Sequence, residues 1–208
     1  MVRLYDQIKS GNCYKVRLLL TLLGQPFERV HLDTFKGEAR TPVYRAKNPN
    51  GKVPLLEWPD GRRLPESDAI LWYLAEGTPY LPDDRWERAQ VLQWMFFEQY
   101  SHEPYIAVVR FWHLAGLVEK NLALLQGKMD RGHQALEVME THLATRPYFV
   151  AGRCTVADIA LYAYTHVAPE GGFDLSRYPR VNDWLERVRA RPGHVPITAE
   201  VGTLVRWP

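Results

Sequence analysis

The stretch SGNCYKVRLLLTLLG, residues 10–24, decides the fold of the first part of this chain. Its apolar residues recur at helical spacing from Val16 to Leu23, and Gly24 is a typical helix stop. The run VRLY before it is β-like, and FERVHL after it reads best as a second strand. Because a helix that joins two successive strands brings them side by side in the same direction, this pattern predicts a parallel β-α-β unit.

The segments that follow extend this unit. VPLLEW and RRLPE, joined by the turn PDG, predict an antiparallel hairpin, and SDAILWYLAEG predicts a helix. The resulting order, β-α-β-α-β-β-α, is that of a thioredoxin-like domain. The predicted segments are strand 2–5, helix 13–23, strand 27–32, an irregular helix around 38–46, strands 53–58 and 62–66, and helix 67–77.

After residue 77 the pattern changes. TPYLPDD is rich in proline and polar residues, as is typical of a linker, and the sequence beyond it has helical periodicity. We therefore predict a thioredoxin-like domain over residues 1–77, a linker over 78–86 and an all-α helical-bundle domain over 87–208. The fold class is α/β plus all-α.

Two features of the helical part are interpreted as structural. The first long helix is expected to begin near residue 85 and to bend at Pro104. Thr155-Val-Ala-Asp158 has the pattern of a capping box, with aspartate in the Glu/Gln position. We expect this box to set the start of a buried helix, so that its mutation damages folding before activity.

Composition excludes several classes of function. The formal net charge is +2 and no dense Lys/Arg block occurs, so neither nucleic acid nor an anionic membrane is an expected partner. No apolar run is long enough to span a bilayer, and the N-terminus does not resemble a signal peptide. The two cysteines lie far apart and no metal-ligand spacing stands out, which favours the reducing cytoplasm and no metal site.

The loop SGNC, residues 10–13, keeps the spacing of the redox motif Cys-x-x-Cys but has Ser10 at its first position. Ser10 or Asn12 could simply cap the following helix. Alternatively, the Ser10 hydroxyl donates a hydrogen bond to a thiolate held at the helix N-terminus. Lowering a thiol pKa of about 8.5 by about 2 units needs ~2.7 kcal/mol. A hydrogen bond to a charged group contributes roughly 1.5–3 kcal/mol and a helix terminus about 0.3–1 kcal/mol, so the loop is sufficient for this task.

Val53-Pro54 stands at the start of a predicted strand, where proline is tolerated because it needs no ladder hydrogen bond. If this peptide bond is cis, Val53 offers its backbone N–H and C=O to an extended peptide. The alternative is a plain strand start, which is the more common role of such a pair.

Glu66-Ser67 precedes the last helix of the first domain. Ser67 is expected to be its N-cap, with Asp68 in the first turn where the helix dipole favours negative charge. A functional alternative is that the helix N-terminus and the Ser67 hydroxyl bind a carboxylate while Glu66 binds an ammonium group. Together they would hold the α-amino-acid end of a zwitterion.

Taken together, these segments resemble the cytosolic glutathione transferase family across essentially the whole chain. The resemblance rests on SGNCYKVRLLL, NPNGKVPLLE, PESDAILWYL and TVADIALY, in that order and spacing. It implies that the thioredoxin-like domain binds glutathione as co-substrate, that the helical domain shapes the pocket for an electrophile, and that the protein is a homodimer.

The resemblance also implies roles for single residues. Ser10 takes the place of the thiolate-stabilising serine of theta-like members. Val53-Pro54 corresponds to the cis-proline peptide clamp, and Glu66 with Ser67 would hold the γ-glutamyl end. Lys52 is placed to meet the glycine carboxylate, for which Arg40 is a weaker candidate.

The subfamily stays open at this point. Bacterial nu-like members reduce disulfides and carry a Thr-Pro-Asn turn, which Ser10-Gly-Asn12 resembles in keeping a hydroxyl and an amide. Asn12 could then share in stabilising the sulfur, whereas Cys13 is expected to be a buried first-turn residue. The leading hypothesis is thioether formation on a small hydrophobic electrophile. The alternatives are a nu-like glutathione-dependent disulfide reductase and a non-catalytic glutathione-binding protein.

Overall fold

A mixed sheet of five strands, in the order β4-β3-β1-β2-β5, is the centre of the first of two units. The structure is a computed structural model that describes residues 1–207. Strands β1 and β2 are parallel, whereas β3 runs antiparallel to both β1 and β4. The strands are β1 Val2–Asp6, β2 Phe27–His31, β3 Leu55–Glu57, β4 Arg63–Pro65 and β5 Thr203–Val205.

The helices of this unit follow the predicted order. They are α1 Gly11–Leu22, α2 Pro42–Arg45 and α3 Ser67–Ala75, with short 3-10 turns at Thr34–Lys36 and Glu38–Arg40. Helix α1 begins two residues earlier than predicted because Ser10 caps it. The thioredoxin-like order and its strand directions are confirmed.

The strand directions bring three chain segments to one edge of the sheet. Tyr5 in β1 is paired with Leu55 in β3, and Leu55 is also paired with Pro65 in β4. Because β3 is antiparallel to both neighbours, its start lies beside the ends of β1 and β4. Residues 7–10, 53–54 and 66–67 therefore meet at the same edge.

One boundary of the predicted domains is wrong. The prediction assigns residues 87–208 to the all-α domain, but residues 192–207 belong to the first unit. Strand β5 pairs in parallel with β2, from Thr203 opposite Glu28 to Val205 opposite Val30. Three residues are too few to carry a periodic signal, and this pairing joins segments far apart in the chain, so local sequence did not reveal it.

The second unit, residues 77–191, is helical. Asp84 caps its first helix by accepting a hydrogen bond from the Glu87 N–H at 2.9 Å, so the helix starts within the predicted linker. The expected irregularity near Pro104 is a π-helical turn, Glu98–His102, directly before the proline-containing helix. The helices are α4 Arg85–Phe97, α5 Glu103–Leu114, α6 Leu122–Leu143, α7 Val156–Thr165 and α8 Pro179–Arg189.

The capping box that opens α7 is confirmed. The Asp158 carboxylate accepts hydrogen bonds from the Thr155 N–H at 2.8 Å and the Thr155 hydroxyl at 3.0 Å. It also accepts from the Phe149 N–H at 3.1 Å and the Trp184 indole N–H at 2.9 Å. A single buried side chain thus ties the start of α7 to α8 and to the segment before α7.

Over residues 1–207, no helix combines the length and apolarity that crossing a membrane requires.

Candidate active site

The loop before α1 is a tight turn organised by Gln7. The Gln7 side-chain oxygen accepts hydrogen bonds from the N–H groups of Lys9 at 2.6 Å and Ser10 at 3.0 Å. The Ser10 N–H also reaches the Gln7 carbonyl at 3.0 Å. The half-buried Ser10 hydroxyl accepts a long hydrogen bond from the Cys13 N–H, at 3.3 Å. That contact does not use the hydroxyl hydrogen, which can donate to another group at the helix N-terminus.

Cys13 lies in the first turn of α1 and is fully buried, as predicted. Burial raises the pKa of its thiol far above the ordinary range, and the nearby Asp6 carboxylate raises the pKa further. Contacts with Arg17, Ser10 and Gln7 oppose this increase only in part. Because the thiolate is the reactive form of cysteine, a buried neutral thiol is not suited to redox exchange.

Asn12 and Ser67 connect the starts of α1 and α3. The Ser67 hydroxyl donates to the Asn12 side-chain oxygen at 3.3 Å and lies 3.5 Å from the Lys15 ammonium. Lys15 has no exposed surface and pairs with Asp68 at 3.0 Å. Two segments separated by 55 residues in sequence are therefore connected by one network of side-chain hydrogen bonds.

Lys15 is a site residue that the sequence reasoning missed. Its position in a helix with a largely apolar face is typical of an exposed charge, and its partners come from α3. The signal available in the sequence was that Lys15 and Arg17 are the two charged residues of α1. Because Asp68 pairs with the Lys15 ammonium, the groups that favour an anion at this end of the site are the N-terminus of α3 and the Ser67 hydroxyl.

The expected N-cap of α3 is wrong by one residue. Ser67 is the first residue of the helix, and the cap position belongs to Glu66, whose side chain makes no capping bond. Glu66 has φ +70 and ψ 113, a conformation that a residue with a Cβ rarely adopts. Such backbone strain costs of order 1–3 kcal/mol and is concentrated at functional sites. The side chain of Glu66 is exposed.

The Val53-Pro54 peptide bond is cis. Continuing the β1–β3 register past Leu55 places Val53 opposite Gln7, in the turn that precedes Ser10. Within residues 1–207, neither the N–H nor the C=O of Val53 has a hydrogen-bond partner. Unpaired backbone groups at the start of a strand can bind an extended peptide by adding a short strand to it.

Arg40 and Lys52 lie on either side of Gly51, and both side chains are exposed. Gly51 has φ +63, and a Cβ placed there would lie 3.3 Å from the Arg40 Cδ and 2.9 Å from the Ala39 carbonyl oxygen. The Arg40 side chain thus packs directly over Gly51. Its guanidinium and the Lys52 ammonium supply positive charge just before the Val53-Pro54 peptide.

The structure therefore brings most of the predicted site residues to one edge of the sheet. Ser10 and Asn12 lie at the start of helix α1, and the Asn12 side chain is hydrogen-bonded to Ser67 of α3. The β1–β3 register places Val53-Pro54 opposite the turn before Ser10. Lys52 directly precedes Val53 in the chain, and the Arg40 side chain packs on Gly51 beside it. In the part of the chain that the structure describes, no three histidine, cysteine or acidic side chains are placed to hold a metal ion.

The first unit is a thioredoxin-like sheet with its helices, and the second unit is helical. Two family descriptions match the chain: "Glutathione S-transferase, N-terminal domain" over residues 10–76 and "Glutathione S-transferase, C-terminal domain" over residues 91–192. The chain belongs to the glutathione S-transferase family.

Curated relatives and solved structures agree with this assignment. "Glutathione S-transferase-like protein LUC7" of Fusarium sp is 32% identical over 194 residues, covering 89% of this chain and 87% of the relative. "Disulfide-bond oxidoreductase YfcG" of Escherichia coli is 28% identical over 202 residues, covering 93% and 94%. A crystal structure of a glutathione S-transferase from Pseudomonas fluorescens Pf-5 has 53% identity and a TM-score of 0.93, covering 95% of this chain and 99% of that one.

Two more distant structures contain glutathione. Ure2p in complex with glutathione has a TM-score of 0.85 and 26% identity, covering 92% of this chain and 95% of that one. A family member from Pseudomonas fluorescens Pf-5 with two glutathione molecules bound has a TM-score of 0.80 and 26% identity, covering 92% and 89%.

Proposed function

We propose that this chain is a glutathione transferase that activates the glutathione thiol as a thiolate for attack on a small hydrophobic electrophile. The observation that carries this proposal is the placement of the Ser10 hydroxyl at the N-terminus of α1, at the same edge as the unpaired Val53 peptide groups. Family membership and the glutathione-bound relatives support the same ligand.

Glutathione would lie along this edge as an extended peptide. Its γ-glutamyl carboxylate meets the N-terminus of α3 and the Ser67 hydroxyl, above the buried Lys15, and its ammonium group meets Glu66. The cysteinyl backbone pairs with Val53 beside Pro54, in the manner of an added strand. The glycine carboxylate lies toward Lys52 and Arg40. The ammonium group and the glycine carboxylate thus face side chains of opposite charge, and the γ-glutamyl carboxylate faces the partial positive charge of a helix N-terminus.

This placement puts the cysteinyl sulfur beside Ser10. The hydroxyl donates a hydrogen bond to the sulfur, which stabilises the thiolate relative to the thiol, and the thiol proton leaves to solvent. The thiolate electron pair then forms a carbon–sulfur bond as the leaving group departs from the electrophile. A hydrogen bond to a charged acceptor contributes roughly 1.5–3 kcal/mol, which corresponds to an ionisation constant of the bound thiol about 10–150-fold larger than that of the free thiol.

A second candidate is a nu-like glutathione-dependent disulfide reductase. It is favoured by the hydrogen bond between Asn12 and Ser67, which holds the Asn12 amide at the loop where the sulfur would lie. The relative named a disulfide-bond oxidoreductase and the structure with two bound glutathione molecules favour it as well. In this case two glutathione thiols donate two electrons, so that the substrate disulfide becomes two thiols and the glutathiones become one disulfide.

A non-catalytic glutathione-binding protein is the third candidate, because a fold of this kind can keep its ligand site without turnover. Binding of glutathione with no product from either class of acceptor is the result that would favour it.

We also propose that the protein functions in the reducing cytoplasm, because both of its cysteines are free thiols.

We propose in addition that the protein is a homodimer. Helix α4 and the π-helical turn after it carry three exposed aromatic side chains, Trp86 at 71%, Phe96 at 67% and Tyr100 at 83% exposure. Exposed aromatic side chains are enriched at protein interfaces. Light scattering should give twice the chain mass, and Phe96→Glu should give the monomer while Phe35→Glu, at an exposed position in the first unit, should not.

The activity test compares two acceptors on one preparation, an aryl halide and a small dialkyl disulfide. We expect faster thioether formation, with Ser10→Ala reducing kcat about 10–100-fold and changing KM for glutathione by less than about threefold. Asn12→Ala should have the smaller effect. Ser176→Ala, which removes an exposed hydroxyl in the second unit, is the matched control and should keep the wild-type rate.

Faster reduction of the disulfide, with Asn12→Ala the more damaging change, would contradict the transferase proposal and establish the reductase. Glutathione binding without turnover of either acceptor would leave the non-catalytic function. Absence of glutathione binding would refute all three.

A further inference from the structure

Residues 193–207 form a tail that neither family description covers. This tail returns to the first unit and adds β5 beside β2. Glu200 in the tail pairs with Arg29 of β2 at 3.4 Å, and Trp207 packs edge-to-face on Tyr5. The tail is therefore an integral part of the glutathione-binding unit of this chain.

Arg17 joins the tail to the loop that carries Ser10. Its side chain is 1% exposed, and one guanidinium nitrogen donates to the Ile8 carbonyl at 2.8 Å and to the Ile197 carbonyl at 2.9 Å. The other terminal nitrogen pairs with Asp6 at the end of β1. The buried Arg17 guanidinium thus fixes the end of β1, the Ile8 carbonyl and the tail relative to one another.

Tyr14 makes a second link from the first turn of α1. Its side chain is fully buried, and its hydroxyl donates to the Val195 carbonyl at 2.6 Å and lies 3.2 Å from the His194 Nε2. The Tyr14 N–H donates to the Ser10 carbonyl at 2.9 Å. The Arg17 guanidinium lies 5.8 Å from the Tyr14 ring centroid. The two side chains therefore anchor neighbouring tail residues to the turn that Ser10 caps.

We propose that the tail, acting through Arg17 and Tyr14, is a positioning element for the Ser10 hydroxyl. The loop 7–10 continues from β1, whose register with β3 places Gln7 opposite Val53, and the Gln7 side chain and short-range backbone bonds fix its local shape. Arg17 adds a long-range constraint because it binds the Ile8 carbonyl and the tail at once. The proposal rests on the proposed role of Ser10 toward the glutathione thiol.

The obvious variant, truncation after Arg191, removes β5 and is expected to impair folding, so point variants of the full chain are the main test. Arg17→Lys keeps a positive charge beside Asp6 but lacks the fork that reaches both carbonyls. Tyr14→Phe removes only the hydroxyl that binds the tail. Arg3→Lys is the matched control, because Arg3 pairs with Glu28 elsewhere in the same sheet.

Two readouts are measured on each variant. Hydrogen exchange of the amides of residues 8–14 reports loop position without any ligand, and we expect at least about tenfold faster exchange in Arg17→Lys and Tyr14→Phe. The thiol pKa of bound glutathione, from the pH dependence of thiolate absorbance, should rise by about one unit, and kcat should fall about tenfold with KM within about threefold. Arg3→Lys should match the wild type in both.

Unchanged amide exchange in both point variants would overturn the proposal, whatever the activity. Faster exchange with an unchanged bound-thiol pKa would also overturn it, because the tail would then stabilise the loop without positioning Ser10. If the wild-type protein itself does not lower the glutathione thiol pKa, the proposed function fails, and that result is distinct because it is seen without any variant.

Discussion

Helices α1 and α7 are both capped by a hydroxyl side chain, and their N-termini differ in how completely their hydrogen bonds are satisfied. At α7 the Thr155 hydroxyl and N–H both bind Asp158, and the Asp158 carboxylate accepts four hydrogen bonds in all. Thr155 and Asp158 have no exposed surface. At α1 the Ser10 hydroxyl is half-buried and accepts one long hydrogen bond.

The difference separates a structural cap from a functional one. A cap with every donor and acceptor paired inside the protein has no capacity for a ligand, and its value lies in stability. A cap whose hydroxyl hydrogen is not used by the helix can donate to an anion at the same N-terminus. Both start with Ser or Thr in the sequence, so the completeness of the network distinguishes them.

The largest expected effect is on stability at α7. Asp158→Ala leaves four buried donors without an acceptor and should lower the free energy of unfolding by about 3–5 kcal/mol. Ser10→Ala should cost no more than about 1 kcal/mol. Urea unfolding of both variants measures the contrast, and equal losses would show that Ser10 is a structural cap like Thr155.

A second effect is the pH dependence of the unfolding free energy that Asp158 contributes. Burial raises its carboxyl pKa to about 6, although its hydrogen bonds to Thr155, Trp184 and Phe149 act in the opposite direction. Because this pKa lies above the value of about 3.9 in an unfolded chain, the folded state binds the proton more tightly. The group therefore stabilises the fold below about pH 4, and this stability is lost as pH rises through about 6.

We expect a decrease of about 1–3 kcal/mol in unfolding free energy from this group between pH 4 and 7. Asp158→Asn, which cannot ionise, should be less stable than the wild type but should not show this decrease. Parallel pH profiles for the two proteins would contradict the assignment.

A smaller effect on binding tests whether the positive charges of Arg40 and Lys52 hold the glycine carboxylate of glutathione. Gly51→Ala places a Cβ 2.9 Å from the Ala39 carbonyl oxygen and 3.3 Å from the Arg40 Cδ, so the Arg40 side chain must move. We expect about threefold to tenfold weaker binding of glutathione but unchanged binding of γ-glutamylcysteine, which lacks the glycine carboxylate. Gly61→Ala is the matched control, with φ +85 and open space around the added Cβ. Equal losses for both peptides would contradict a glycine-carboxylate site at Arg40 and Lys52.

The smallest expected effect is at Cys13. Because its thiol is fully buried and neutral, Cys13→Ala should change glutathione-dependent turnover by less than about twofold. Cys154→Ala, at the other buried cysteine, provides the comparison. Loss of disulfide reduction in Cys13→Ala alone would show that the α1 loop does use its own thiol.

Local pattern was enough to predict most of the first unit. Helical spacing between Val16 and Leu23 and the hairpin turn after Trp58 determine the element order, and that order determines which strands are parallel. The capping box at Thr155 was also predictable, because its two members are three residues apart. Each of these features depends on neighbours close in sequence.

The features that sequence did not reveal depend on contacts between distant segments. Lys15 and Arg17 are buried because Asp68 and Asp6 pair with them, and nothing near either residue indicates those partners. The strained backbone at Glu66 moves Ser67 from the cap position into the helix. The tail that contacts Arg17 comes from residues some 180 positions away. The candidate site is therefore predictable in its residue types but not in its supporting network.

The most direct test of the central claim is the thiol pKa of glutathione bound to the wild type and to Ser10→Ala, measured by thiolate absorbance across pH. We predict a bound-thiol pKa about 2 units below the free value of about 8.5 in the wild type, and a return toward the free value in the variant. The same pKa in both proteins would contradict the account, because the Ser10 hydroxyl would then not stabilise the thiolate.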